Sequence, residues 1–153
     1  MLKNLVIINN EKCIKKDGDF YCQNIEVSSI TKLLSRKFNI KLILRESSVN
    51  PIYKISSGKV ISNSNIFSFV WNVVSSALKD KSIFLIISVT PYTFLSFLFL
   101  LFMRKKVFLY LRSDGKKEIS IILGKVFSII YRLMEGFMIK FSNLIVVNNL
   151  ITK

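Results

Sequence analysis

No histidine occurs anywhere in this sequence. That removes the commonest general base and the commonest metal ligand at neutral pH. With only two cysteines present, metal chemistry built on Cys and His spacing is excluded as well. Acidic side chains are scarce, nine Asp plus Glu against twenty-three Lys plus Arg. Five glycines and two prolines are too few for a linker-rich or disordered chain. There is no GxGxxG, no phosphate-cradling loop ending in Gly-Lys-Ser/Thr and no nucleophile elbow. Nor does the start, "MLKNLVIINNEK", form a secretory signal: its apolar run is four residues, Leu5 to Ile8, and Asn and Lys follow it. These absences predict a cytoplasmic chain with reduced thiols.

What is present is apolar and basic. Half of the 153 residues are hydrophobic and thirteen are Phe, enough for one domain with a real core. The formal charge of +14 makes a field that attracts lipid headgroups, nucleic acid or phosphorylated substrates. The lysines are scattered and lack the aromatic interleaving of a recognised module, which argues against nucleic acid as the partner.

Along the chain, "LVIIN" at residues 5–9 reads as a strand buried on both faces. In "KCIKKDGDFYC" the Asp17-Gly18 pair signals a two-residue hairpin turn, which sets Lys16 opposite Asp19 and Cys13 opposite Cys22. The two cysteines are either a redox-sensitive bridge or two small residues packing on the hairpin, and the compartment favours packing. Asn24 is placed to cap a helix with Ile25, Ile30, Leu33, Leu34 and Phe38 at helical spacing. "IKLIL", 40–44, reads as a second core strand. "SVNPIYKISSGKVISN" reads as loop with short extended pieces around Tyr53 and Val60. Asn63 or Ser64 is placed to start a helix facing inward through Ile66, Phe69, Val70, Val73 and Ala77.

Residues 83–103, "IFLIISVTPYTFLSFLFLLFM", carry no charge over a length sufficient for a membrane span. Proline in mid-helix would break such a span, whereas proline at a helix start is favourable. The stretch therefore divides into a strand to about Ser88, a turn, and a helix from about Pro91 to Met103. "VFLYLRS" resumes as a strand, a long helix is expected from Lys116 to Phe141 with Ile119, Ile122, Leu123, Val126, Phe127, Ile130 and Leu133 inward, and "NLIVVNN" closes as a last strand. This alternation predicts an α/β fold: a doubly wound, mostly parallel sheet with helices on both faces and a small hairpin after the first strand.

Ligands of such sheets bind beyond the carboxyl ends of the strands. Here these are Asn9-Asn10, Arg45-Glu46, the segment from Ser88 through Thr90 to Tyr92, and Arg112-Ser113-Asp114-Gly115 with Glu118 one turn further on. Arg112 could fork onto a phosphate or carboxylate. Asp114 could accept sugar hydroxyls, or simply form a turn and cap the helix after it.

"FLYLRSDGKKE" and "ILGKVFSIIYRLMEGFMIKFSNLIVVNN", with "LVIIN" and "IKLILRES", resemble the N-terminal half of a bacterial GT-B glycosyltransferase of the family 4 type, also called glycosyl transferases group 1. The resemblance covers nearly the whole chain, 1–153, as one Rossmann-like domain. It implies the acceptor side of an enzyme moving a sugar from a nucleotide-sugar to a glycan or lipid-linked acceptor in cell-surface polysaccharide synthesis. The donor is a substrate, so no cofactor is implied. Acceptor contacts are implied at Asn9, Asn10, Thr90, Tyr92, Arg112, Ser113, Asp114, Gly115 and Glu118. Retaining members do not strictly require a protein base, which agrees with a chain lacking His. Two departures stand out. The hairpin replaces the glycine-rich loop that many members carry after the first strand. The paired glutamates of the donor half have no counterpart, so a C-terminal donor-binding domain is expected in cis or as a separate chain. The basic surface is expected to hold the protein against an anionic membrane, peripherally at the inner face of the plasma membrane. The alternative is a non-enzymatic protein anchored in a membrane through residues 91–106, with Arg104-Lys105-Lys106 on the cytoplasmic side.

Overall fold

The computed structural model describes residues 2–47, 52–79, 81–111 and 125–147. Among them the elements are β1 (Lys3–Lys16), β2 (Asp19–Cys22), α1 (Ile25–Leu34), β3 (Phe38–Glu46), β4 (Tyr53–Lys54), β5 (Lys59–Asn63), α2 (Ile66–Lys79), β6 (Ile83–Ile87), α3 (Pro91–Phe102), β7 (Val107–Leu111), α4 (Lys125–Phe141) and β8 (Leu144–Val147). All eight strands join one mixed sheet. Six pair in parallel in the order β5-β3-β1-β6-β7-β8, while β2 and β4 add an antiparallel corner on the far half of β1. The fold is α/β, as expected.

Strict alternation sorts the central strands between two cores. Val6, Ile8, Phe84, Ile86, Val107 and Leu109 face the helical layer of α2, α3 and α4. Leu5, Ile7, Leu42, Leu44 and Ile87 face the other side, where α1 and the hairpin lie. Among the described residues the cover is thus unequal, three helices against one.

The hairpin forms in the expected register, Cys13 opposite Cys22 and Lys16 opposite Asp19. Asp17 and Gly18 have φ of 51° and 85°, the two left-handed residues that a type I′ turn requires. Residues 83–103 divide as their proline dictates. β6 ends at Ile87, and Thr90 caps α3 through a reciprocal box with Thr93. No helix among the described residues is long and apolar enough to cross a membrane. Residues 91–106 form α3, with Thr93, Ser96, Phe97 and Leu100 buried, and the turn into β7.

Several boundaries and faces differ from expectation. β1 does not stop at Asn9 but runs on to Lys16, because its extension finds new partners in β2 and the end of β3. The piece around Val60 is a full strand, β5, paired in parallel with β3. α2 is capped by Asn65, whose Oδ1 accepts the Ser68 N–H at 2.9 Å, and Asn63 ends β5 instead. α1 stops at Leu34, so Phe38 opens β3, and its buried residues are Val27 and Thr31 while Ile25 and Leu33 are exposed. The largest correction is α4. Ser128, Tyr131, Glu135 and Met138 turn inward, and Val126, Phe127, Ile130 and Leu133 are 48–69 % exposed. The more apolar stripe is thus the outer one, and periodicity alone does not say which face meets the sheet. Ile119, Ile122 and Leu123 lie outside the described residues.

Candidate functional site

The carboxyl edge of the parallel strands is built around an interruption in β1. Ile8 pairs with Ile43 and Lys12 with Arg45, so four steps along β1 match two along β3. The extra residues fall at Asn9–Glu11, a bulge of the kind that re-aims side chains beside functional sites. Asn9 is 4 % exposed, and its Oδ1 accepts the Glu11 N–H at 3.1 Å. Its Nδ2 is buried and has no hydrogen-bond partner among the described residues. A buried amide donor without a protein partner costs about 1–3 kcal/mol, so this group is available to donate to a bound oxygen, of water or of ligand.

Asn10, from the same bulge, accepts a 3.3 Å hydrogen bond from Arg45 Nη1 at the end of β3. The Arg45 guanidinium lies over the Tyr92 ring, 4.6 Å from its centroid. Tyr92 in turn meets Phe69 of α2 edge-on, ring centres 5.4 Å apart. Four elements, β1, β3, α3 and α2, are therefore joined in one row: bulge amide, guanidinium, aromatic face, core phenyl. Because Tyr92 sits in the first turn of α3, the capping box at Thr90 fixes where its ring stands. Thr90 itself spends its hydroxyl on Thr93. Thr93 Oγ1 donates to the carbonyl of Ser88, which is held at φ 67°. A non-glycine residue there stores strain of about 1–3 kcal/mol, which places a second irregularity at this edge.

No protein-family model, no curated protein and no solved structure matches this chain.

The site must accordingly be read from its own chemistry. Beside the row opens a cleft of about 590 Å³ lined by Lys12, Ile14, Arg45, Glu46, Ser47 and Ser64. Its polar groups are suited to hydroxyl-rich or anionic ligands: the Arg45 guanidinium, the Lys12 ammonium, the hydroxyls of Ser47 and Ser64 and the Glu46 carboxylate, with Tyr92 adjacent under Arg45. Thiol nucleophiles are ruled out. Cys13 and Cys22 are free and buried beneath the hairpin. Burial first, then the charges of Cys22, Glu46 and Glu11, pushes the Cys13 thiol up to about 12. Burial raises Cys22 as well. Among the described residues no cluster of three Cys, Asp or Glu could hold a metal ion.

Of the residues expected at this edge, the structure brings Asn10 and Tyr92 together through Arg45, with Asn9 adjacent in the bulge and Thr90 committed to its cap. Arg112, Ser113, Asp114, Gly115 and Glu118 lie outside the described residues. Arg45 is placed among the strand ends by its sequence but not among the expected acceptor contacts. Its signal was a lone guanidinium directly after the apolar run "IKLIL", at a strand end.

Proposed function

We propose that this chain is the acceptor-side domain of a retaining GT-B-type glycosyltransferase, transferring a sugar from a nucleotide-sugar to a glycan or lipid-linked acceptor. The observation that carries this is the row Asn10–Arg45–Tyr92 beside the orphaned Asn9 amide, set in a bulge at the carboxyl edge of parallel strands. Supporting the finer reading of a doubly wound, Rossmann-like half is the strand order β5-β3-β1-β6-β7-β8. So is the winding: the path from β1 to β3 passes through α1 on one face, and that from β6 to β7 through α3 on the other. The two strands that part in this way, β1 and β6, are neighbours, and ligands of open α/β sheets sit at such switch points.

In this reading Tyr92 offers a stacking face to a sugar ring, Arg45 and Lys12 hold an anionic group of the acceptor, and Asn9 Nδ2 receives a hydroxyl oxygen. The nucleotide-sugar belongs to a second, donor-binding domain, in cis or as a separate chain. Arg112 and Asp114, which follow β7, would complete the acceptor side. The test is a sugar-transfer assay on the chain alone and on the chain joined to a donor-binding domain, with lipid-linked and soluble acceptors. The chain alone should be inactive and the joined protein active. Arg45→Met should lower kcat/KM by about 10- to 100-fold, the worth of one charged hydrogen bond. Transfer by the isolated chain, or full activity in both Arg45→Met and Asp114→Ala, would refute the assignment.

A further inference from the structure

The helical layer hides one face against the sheet and exposes the other, and the exposed face is apolar. On α2, Phe67, Trp71 and Leu78 are 84, 68 and 70 % exposed, at i, i+4 and i+11. On α3, Leu95, Phe99 and Phe102 are 38, 48 and 88 % exposed, at i, i+4 and i+7. Each set forms a ridge along its helix. Between the ridges lies a groove of about 720 Å³ whose lining includes Phe67, Trp71, Leu95 and Phe99 and holds no charged residue. Six such side chains expose on the order of 500 Å² together, the size at which an apolar patch marks an interaction site. α3 has no charged residue at all, and α2 has only Lys79 in its last turn.

The charges at the end of these ridges identify what covers them. Both helices run toward the amino edge of the sheet, and there the chain places Lys79, Lys81, Arg104 and Lys106, all exposed. No acidic residue accompanies them among the described residues. Phe102, the most exposed aromatic, is two residues from Arg104. Arg104 also occupies the left-handed position that closes α3, with φ 53°, where glycine is the usual choice. A second copy of this chain would offer these bases no acidic partner, since neither α2 nor α3 carries one. An anionic bilayer meets both halves of the pattern, taking Trp, Phe and Leu below the headgroups and Lys and Arg among them.

We infer that the outer face of α2 and α3 docks in the plane of an anionic lipid surface, with the basic amino edge among the phosphates. This gives the membrane contact expected from net charge a definite face, and it stands whether or not the chain is a glycosyltransferase.

Trp71 is the one tryptophan in the sequence and sits on this face, so the unmodified full chain reports its own docking. Its emission is measured with vesicles of phosphatidylcholine containing phosphatidylglycerol, with phosphatidylcholine alone, and with acyl chains brominated near the headgroup. On anionic vesicles Trp71 should shift to the blue and be quenched by bromine. Partitioning should fall about tenfold or more in pure phosphatidylcholine or high salt, as for a contact held by several bases. Phe67→Ser with Phe102→Ser, both at exposed sites, should lower partitioning at least about tenfold with an unchanged thermal melt. Unquenched Trp71 on anionic vesicles overturns the proposal, and this readout needs no variant. So does a blue shift without lipid that tracks dimer formation in sedimentation, which would assign the face to a second copy.

Discussion

Asn9→Ala separates a structural amide from one kept for a ligand. Asn9 is buried, so a conventional expectation is destabilisation by several kcal/mol. The hydrogen-bond inventory argues otherwise. Its Oδ1 accepts one bond, from the Glu11 N–H at 3.1 Å, worth about 0.5–1.5 kcal/mol net. Its Nδ2 is buried without a partner, a burden of about 1–3 kcal/mol that alanine removes. The small void left behind costs on the order of 1 kcal/mol. The sum lies within about 1.5 kcal/mol of zero, and either sign is compatible with it. Urea denaturation of the wild-type chain and the variant measures it. With a slope of about 1–3 kcal/mol per molar urea, the midpoint should move by no more than about 1.5 M. Ligand binding should nonetheless be lost, because the variant has no donor where the bulge aims one. Destabilisation beyond about 3 kcal/mol would show that the amide is satisfied within the fold, and the argument for a ligand at this position would fail.

Two further outcomes follow from local chemistry. Cys13 should react with iodoacetamide at pH 8 about a thousandfold more slowly in the folded chain than in urea, since its thiol is raised from 9.0 to about 12. The folded value exceeds the unfolded one, so the linked stability is complete below about pH 9 and falls by up to about 1.4 kcal/mol per pH unit from there to 12. Rapid labelling of both thiols in the native protein would contradict this burial. Arg104→Gly should raise the thermal midpoint by about 2–4 °C, as relief of roughly 1 kcal/mol of left-handed strain in a domain of this size. The same change should weaken binding to anionic vesicles, and a lowered midpoint would show that the Arg104 side chain supports the fold itself.

Which parts of this structure were legible depended on whether a residue imposes a geometry or only a preference. Asp17-Gly18 permits essentially one tight turn, and the hairpin register followed from it residue by residue. Pro91 after Thr90 forbids a continuous helix through residues 83–103, and the strand, cap and helix fell where proline put them. Apolar spacing is weaker. In α4 it marks a stripe through Val126, Ile130 and Leu133 that turns outward, while the mixed face of Ser128, Tyr131, Glu135 and Met138 meets the sheet. β5 was legible only as a short extended piece around Val60, because "KVISN" has neither a continuous apolar run nor clean alternation, and its pairing to β3 makes it a full strand. At the site, the rule of strand ends located Asn9, Asn10 and Tyr92 but not the bond between them. Arg45 joins Asn10 and Tyr92 across three elements distant in sequence, and such a contact exists only once the sheet order is known.

The two proposed surfaces constrain one another through the direction of the helices. α2 and α3 begin at the carboxyl edge, beside the cleft, and end at the amino edge among the bases. α2 has fourteen residues, so about 20 Å separates the two ends. Ser64, on the wall of the cleft, precedes by three residues Phe67, the first member of the apolar ridge. A bilayer that accepts the whole ridge therefore passes within a turn of helix of the cleft mouth. Apart from Glu135, buried in α4, the described acidic residues are Glu11, Asp17, Asp19, Glu26 and Glu46, which lie in the hairpin, at the start of α1 or at the end of β3, away from the basic edge. The cleft end carries both signs, Lys12 and Arg45 beside Glu46, so an anionic surface draws the acid-free amino edge in more strongly and leaves a shallow space at the cleft. An acceptor tethered to lipid would present its sugar or phosphate in that shallow space beside Arg45 and Lys12. A soluble glycan would gain nothing from a face so costly to leave exposed to water. Docking and transfer, taken together, favour the lipid-linked acceptor.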